Sequence, residues 1–128
     1  MNRTSNSPTE KAVVMLSLNN GDIVEVMPTD VLNIVNDQYF RSLCNQNCIS
    51  HREVSTSSLA VIAFLISESQ EENSECELYD LFDENNGCGL DFSNFLVTDD
   101  LAIETANFYI ENVLGCTGDT IISIEDRS

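Results

Sequence analysis

Between Arg52 and Arg127 the sequence contains neither lysine nor arginine. Across residues 53–128 seventeen acidic side chains face one base, a net of −16 out of −17 for the whole chain of 128 residues. Such a field repels phosphate backbones and anionic headgroups, which excludes nucleic acid and membrane surfaces as main partners and leaves a basic partner or solubility as its use. Long apolar runs are missing as well. The longest, Leu59 to Ile66, is eight residues, where a membrane span needs about twenty. No hydrophobic stretch of signal-peptide kind opens the chain, because Met1 to Glu10 is polar and rich in Ser and Asn. The expectation is a soluble protein of the cytoplasm or nucleus with a disordered head over residues 1–10. A disulfide framework is missing too: Cys44, Cys48, Cys76, Cys88 and Cys116 are odd in number and lack framework spacing, as reduced thiols do. What is present is an apolar share of 42%, enough for one core in one domain over residues 11–128.

The parts of an active site are also scarce. His51 is the sole histidine, so any Cys-His or Ser-His-Asp arrangement must use it, and nothing near it marks a nucleophile. No glycine-rich phosphate loop occurs. Cys44, Cys48 and His51 approach metal-ligand spacing, yet structural zinc takes four ligands and the nearest further cysteine, Cys76, lies 25 residues on. The thiols therefore read as structural. The most tempting motif is Asp83 to Phe95, DENNGCGLDFSNF, which looks like a calcium-binding EF-hand loop with Asp83, Asn85, Leu90 and Asp91 in keeping. Its decisive positions fail: Gly87 replaces the fifth ligand, Cys88 the turn glycine and Asn94 the closing bidentate glutamate. The expectation is an acidic turn, no cofactor, no metal and no enzyme, with a degenerate calcium binder as the weaker alternative.

Local signals give the elements. Ala12 to Leu18 reads as a strand, Asn20-Gly21 as a tight turn, and Ile23, Val24 and Val26 as the returning strand. After Pro28, Thr29 or Asp30 caps a helix carrying Val31, Leu32, Ile34 and Val35; Gln38 to Cys44 is a second helix with Tyr39, Phe40 and Leu43. Arg52 to Val54 reads as a short third strand. Ser55 to Ser58 supply capping hydroxyls for Leu59 to Ile66, which is apolar all round and belongs at the centre of a core. Ser67 to Glu77, with five acids in eleven residues, reads as a linker. Leu78 to Phe82 and Phe92 to Val97 are short apolar pieces around the loop Asn85 to Gly89. Thr98 caps a further helix with Asp99 and Asp100 in its first turn and Ala102, Ile103, Ala106, Tyr109, Ile110 and Val113 as its buried stripe. Ile121, Ile122 and Ile124 pack back as a last helix or strand.

Three blocks of this sequence, in order, resemble the Skp and elongin C adaptors of cullin-based ubiquitin ligases, which have the BTB/POZ fold: VVMLSLNNGDIVEV at 13–26, REVSTSSLAVIAFLIS at 52–67 and DFSNFLVTDDLAIETANFYIENVLGCT at 91–117. The acidic stretch between the last two is also typical there. The resemblance implies an α+β, BTB/POZ-like fold, an N-terminal β-hairpin and short third strand packed with five or six helices. It implies a non-catalytic adaptor that bridges a cullin N-terminal domain and a substrate-receptor helix in ubiquitin-dependent degradation. The cullin-facing residues it implies are Asn107 and Phe108, from the Ala106-Asn107-Phe108 signature, with Asp99 and Asp100 beside them. The Skp members' two further C-terminal helices have no counterpart after Thr117, so a receptor helix of the elongin kind fits better than an F-box. The alternative within the resemblance is a self-associating or partner-specific scaffold, such as a homodimer, without cullin binding.

Overall fold

The computed structural model describes residues 11–83 and 90–127. Among them are six α-helices and a three-stranded antiparallel sheet, a mixed α+β arrangement. Strands β1 (Val14–Leu18) and β2 (Ile23–Val26) form the expected hairpin, with Leu16 opposite Val24. The turn is a three-residue loop: Gly21 N–H donates to the Leu18 carbonyl (3.0 Å) and Leu18 N–H to the Asp22 carbonyl (2.9 Å). Gly21 takes φ +93°, the left-handed geometry that such a loop requires of its last residue.

The third strand is not at 52–54. Arg52 and Glu53 belong to a 3-10 turn, His51–Glu53, which the Ser50 hydroxyl closes by accepting from Arg52 N–H (3.3 Å), and Val54 follows it. Three residues behind a serine cap close a turn more readily than a ladder. The strand comes instead from the far end of the chain, β3 (Ile121–Asp126), which pairs antiparallel with β1 to give the order β2-β1-β3. Val14, Leu16 and Leu18 of this central strand are buried against the helices. Between Ser17 and Leu18 the register shifts, since Ser17 faces Ser123 while Leu18 faces Ile121. Ile122 is thus the extra residue of a β-bulge, and the bulge turns Ile121 into the core while leaving Ile122 outside.

Helix α1 (Pro28–Val35) starts on a proline, whose missing N–H costs nothing there, and the Asp30 carboxylate accepts from Met27 N–H (3.0 Å). Asp37 caps α2 (Gln38–Gln46) by accepting from Phe40 N–H (3.0 Å). The end of α2 is a Schellman motif: Cys48 N–H donates to the Asn45 carbonyl (3.1 Å) and Ile49 N–H to the Cys44 carbonyl (3.0 Å). The residue this motif places in the left-handed region is Cys48, at φ +58°, where glycine is favoured. Cys48→Gly, which also removes an exposed thiol, is therefore expected to raise unfolding free energy by about 0.5–1 kcal/mol. Urea denaturation under reducing conditions measures it, and a loss of stability would count against this cap.

Helix α3 (Thr56–Glu72) is capped by Ser55, whose hydroxyl accepts from Ser58 N–H (3.1 Å). It runs through the middle of the core, with Leu59 to Ile62, Phe64 and Leu65 buried. The linker expected at 67–77 is largely absent: Ser67 to Glu72 are the last turns of α3, and Glu68 and Ser69 are buried. Polar composition suggested a break, but Ser69 lies one turn beyond Leu65 on the same buried face. The hydroxyl of Ser69 bonds that of Tyr109 (2.8 Å). Beyond Asn73 the chain packs back, burying Cys76 and Leu78. Short helices α4 (Leu78–Phe82) and α5 (Asn94–Val97) flank the loop Asn85 to Gly89, which lies outside the described residues. They contribute Phe82 and Phe95 to an edge-on aromatic cluster with Phe40 and Phe92, ring centres 5.3–5.5 Å apart. The Ser58 hydroxyl also bonds the Phe95 carbonyl, tying α5 to α3. No helix of the described residues is long and apolar enough to cross a membrane.

Candidate functional site

Helix α6 (Asp99–Tyr109) carries the residues that sequence singled out. The Thr98 hydroxyl caps it by accepting from Leu101 N–H (3.1 Å). Asp99 and Asp100 lie in its first turn, exposed, where the helix dipole favours negative charge. Ala102, Ala106, Tyr109 and Ile110 are buried, as the expected stripe requires, and Ile103 is partly buried. Val113 is a correction, being 50% exposed. After Tyr109 the helix widens into a π-turn, Ile110–Leu114, ended by Gly115 at φ +72°. The wider turn shifts the phase of the residues beyond Ile110, which a constant spacing of 3.6 does not anticipate.

Asn107 and Phe108 are adjacent in sequence and opposite in behaviour. Phe108 is 63% exposed. It shares its face with Asp100 and Glu104, at four-residue spacing, and both are exposed. Exposed Glu111 and Asn112 follow, the Asn112 amide donating to the Phe108 carbonyl (3.0 Å). One phenyl ring thus stands in an acidic field. Asn107 is half-buried, and its side-chain amide is committed to the backbone of Ile121. Its Nδ2 donates to the Ile121 carbonyl (2.9 Å) and its Oδ1 accepts from Ile121 N–H (2.7 Å). The amide acts as a substitute strand, pairing both backbone groups of the residue beside the bulge. Of the four positions that the family resemblance implies, three present side chains to solvent and Asn107 braces β3.

A residue that sequence did not single out is Glu68. Its carboxyl is buried on α3 and pushed up to about 8, first by desolvation, then by the hydrogen bond and charge of Asp119, then by Glu71. Asp119 sits in the 3-10 turn Thr117–Asp119 that leads into β3 and also accepts from the Asn20 amide (3.1 Å). The Cys116 thiol is pushed up by burial and by the surrounding Asp119, Glu68, Glu72 and Glu71 carboxylates, which disfavours the thiolate. The signal for Glu68 was its place three residues after Leu65, on the core side of α3.

The other sequence candidates do not assemble. Cys44 is buried with its thiol pushed up by burial, whereas Cys48 is exposed. Burial and then the charges of Arg41 and Arg52 hold the His51 imidazole below its ordinary range. No group of three or more potential ligands is placed to hold a metal ion among the described residues. Of the EF-hand-like loop, Asn85, Gly87 and Cys88 lie outside the described residues. Within them, Leu90 is buried, Asn94 begins α5, and Asp91 Oδ1 accepts from the backbone N–H (3.1 Å) and hydroxyl (2.6 Å) of Ser93. In comparisons with known proteins, no family model, no curated protein and no solved structure matches the chain.

Proposed function

We propose that the chain is a non-catalytic adaptor of the Skp/elongin C kind, joining a cullin scaffold to a substrate receptor. The observation that carries this reading is Phe108, a large apolar side chain 63% exposed on a helix whose neighbouring outward positions, Asp100, Glu104 and Glu111, are acidic. An aromatic anchor inside a charged rim is the usual composition of a protein–protein contact. The acidic rim calls for a basic counterpart, so association should be fast at low salt and weaken as salt rises. Asp99 and Asp100 contribute to that attraction, while Asn107 serves indirectly by fixing α6 against β3.

The test is capture of a cullin N-terminal domain by the wild type and by Phe108→Ala. Truncating an aromatic hot spot costs about 2 kcal/mol of binding, roughly thirtyfold in affinity. Thermal unfolding of the variant should stay within about 0.5 kcal/mol of wild type, because the ring is exposed. Equal recovery of the cullin by both proteins would sink the assignment of this face.

A further inference from the structure

We infer that the groove between β2, α1 and the C-terminal half of α3 docks a cationic, amphipathic segment of a partner protein. The groove has a volume of about 590 Å³, within the range of sites that accept several side chains. Its apolar side is offered by Val24, Ala63 and Ile66, each half-buried, over the buried Ile34 and Phe64. Around it stand Asp30, Asp37, Glu71 and Glu77, and no lysine or arginine lines it.

The rim charges differ in what they already do. Asp30 and Asp37 accept from backbone N–H groups at the starts of α1 and α2, which fixes their carboxylates but leaves acceptor capacity on the second oxygen. Glu71 projects from the last turn of α3, exposed, and supplies the least compensated charge, whereas Glu25 turns to the other face of the sheet, beside Lys11 and Arg127. An apolar strip bounded by carboxylates matches a helix or strand with leucine-like residues on one face and lysines or arginines flanking them. An anion is repelled here. A second copy is disfavoured as well, since it would set acidic rim against acidic rim in a chain of formal charge −17. The inference does not rest on the adaptor reading, because no groove residue belongs to α5 or α6, and the two readings can fail separately.

The probe is a fluorescein-labelled Leu/Lys peptide designed as an amphipathic helix. A scrambled peptide of identical composition without an apolar face is the control for charge alone. Anisotropy should show the amphipathic peptide binding at least about tenfold tighter than the scramble and weakening with salt. The Glu71→Lys variant should lose about tenfold, and Asn33→Trp, which places an indole at the groove wall, should lose a similar factor while keeping the rim charge. Amide shifts in the wild type should map to β2, α1 and α3, and Phe108→Ala should bind the peptide normally. Equal affinity for the scramble, unaltered binding by both groove variants, shifts confined to α6, or a concentration-dependent dimer blocked by Asn33→Trp would each overturn the proposal.

Discussion

Asn107→Leu is expected to lower unfolding free energy by about 2–4 kcal/mol and to loosen the C-terminal strand. Two hydrogen bonds, at 2.7 and 2.9 Å, join its amide to the N–H and carbonyl of Ile121. Leucine keeps the approximate volume and supplies neither partner. Each polar group left without a partner in a buried setting costs about 1–3 kcal/mol. Asn107 and its contact are partly buried, which sets the lower half of the summed range. The loss is concentrated at the bulge, where Ile121 enters the core and Ile122 leaves the ladder. Amide exchange should therefore accelerate at Ile121 and through β3 before it does in α3. Asn107→Asp separates the two bonds: its carboxylate still accepts from Ile121 N–H but offers no donor to the carbonyl, so an intermediate loss is expected. A leucine variant within about 0.5 kcal/mol of wild type would refute the brace. This brace also decides how α6 is tested for partner binding. Removing Asn107 together with Phe108 confounds a lost contact with a loosened fold, whereas Phe108 alone does not.

What sequence could show and what it could not divides along the range of the interactions. The hairpin was legible because Asn20-Gly21 sits between two β-branched runs, and its geometry is set within a few residues. The starts of α3 and α6 were legible for the same reason, since Ser55 and Thr98 each bond an N–H three residues ahead, whereas α2 was placed by its apolar residues and its cap, Asp37, was missed. The third strand was not. Arg52 to Val54 and Ile121 to Ile124 both offer β-branched residues, and the choice depends on β1, some hundred residues away from the true partner. The stretch from Ser67 to Glu72 was misread because composition, averaged over a window, hides which positions face inward. Ser69 looks like a linker residue until Tyr109, forty residues later, supplies its partner. Asn107 and Phe108 are one residue apart, about 100° around the helix, and a motif that names both cannot say which faces in. That assignment required knowing that β3 lies against α6.

The second large effect is a pH dependence centred on Glu68. Its folded-state value, raised to about 8 from an ordinary 4.5, means that the native chain holds a proton there which the unfolded chain has released. Stability is therefore full below about 4.5, falls as pH rises through the window between those values, and levels off above about 8. The slope that one such proton contributes approaches about 1.4 kcal/mol per pH unit. The groups facing the carboxyl explain the sign: burial on α3 penalises the anion, and Asp119 and then Glu71 add negative charge, with no base among the groups acting on it. Protonated Glu68 can donate to the Asp119 carboxylate, joining α3 to the turn that begins the C-terminal strand; the ionised form can only repel it. Asp119 in turn accepts from Asn20 in the β1–β2 turn, so ionisation should loosen the hairpin end and the start of β3 together. Glu68→Gln keeps a donor for Asp119 without the titration. Its expected behaviour is wild-type stability at the acid end of the window and greater stability than wild type at the alkaline end, with the slope removed. Urea denaturation of both proteins across the window measures this. Parallel curves would show that Glu68 is not the group responsible, since the remaining carboxylates are common to both chains.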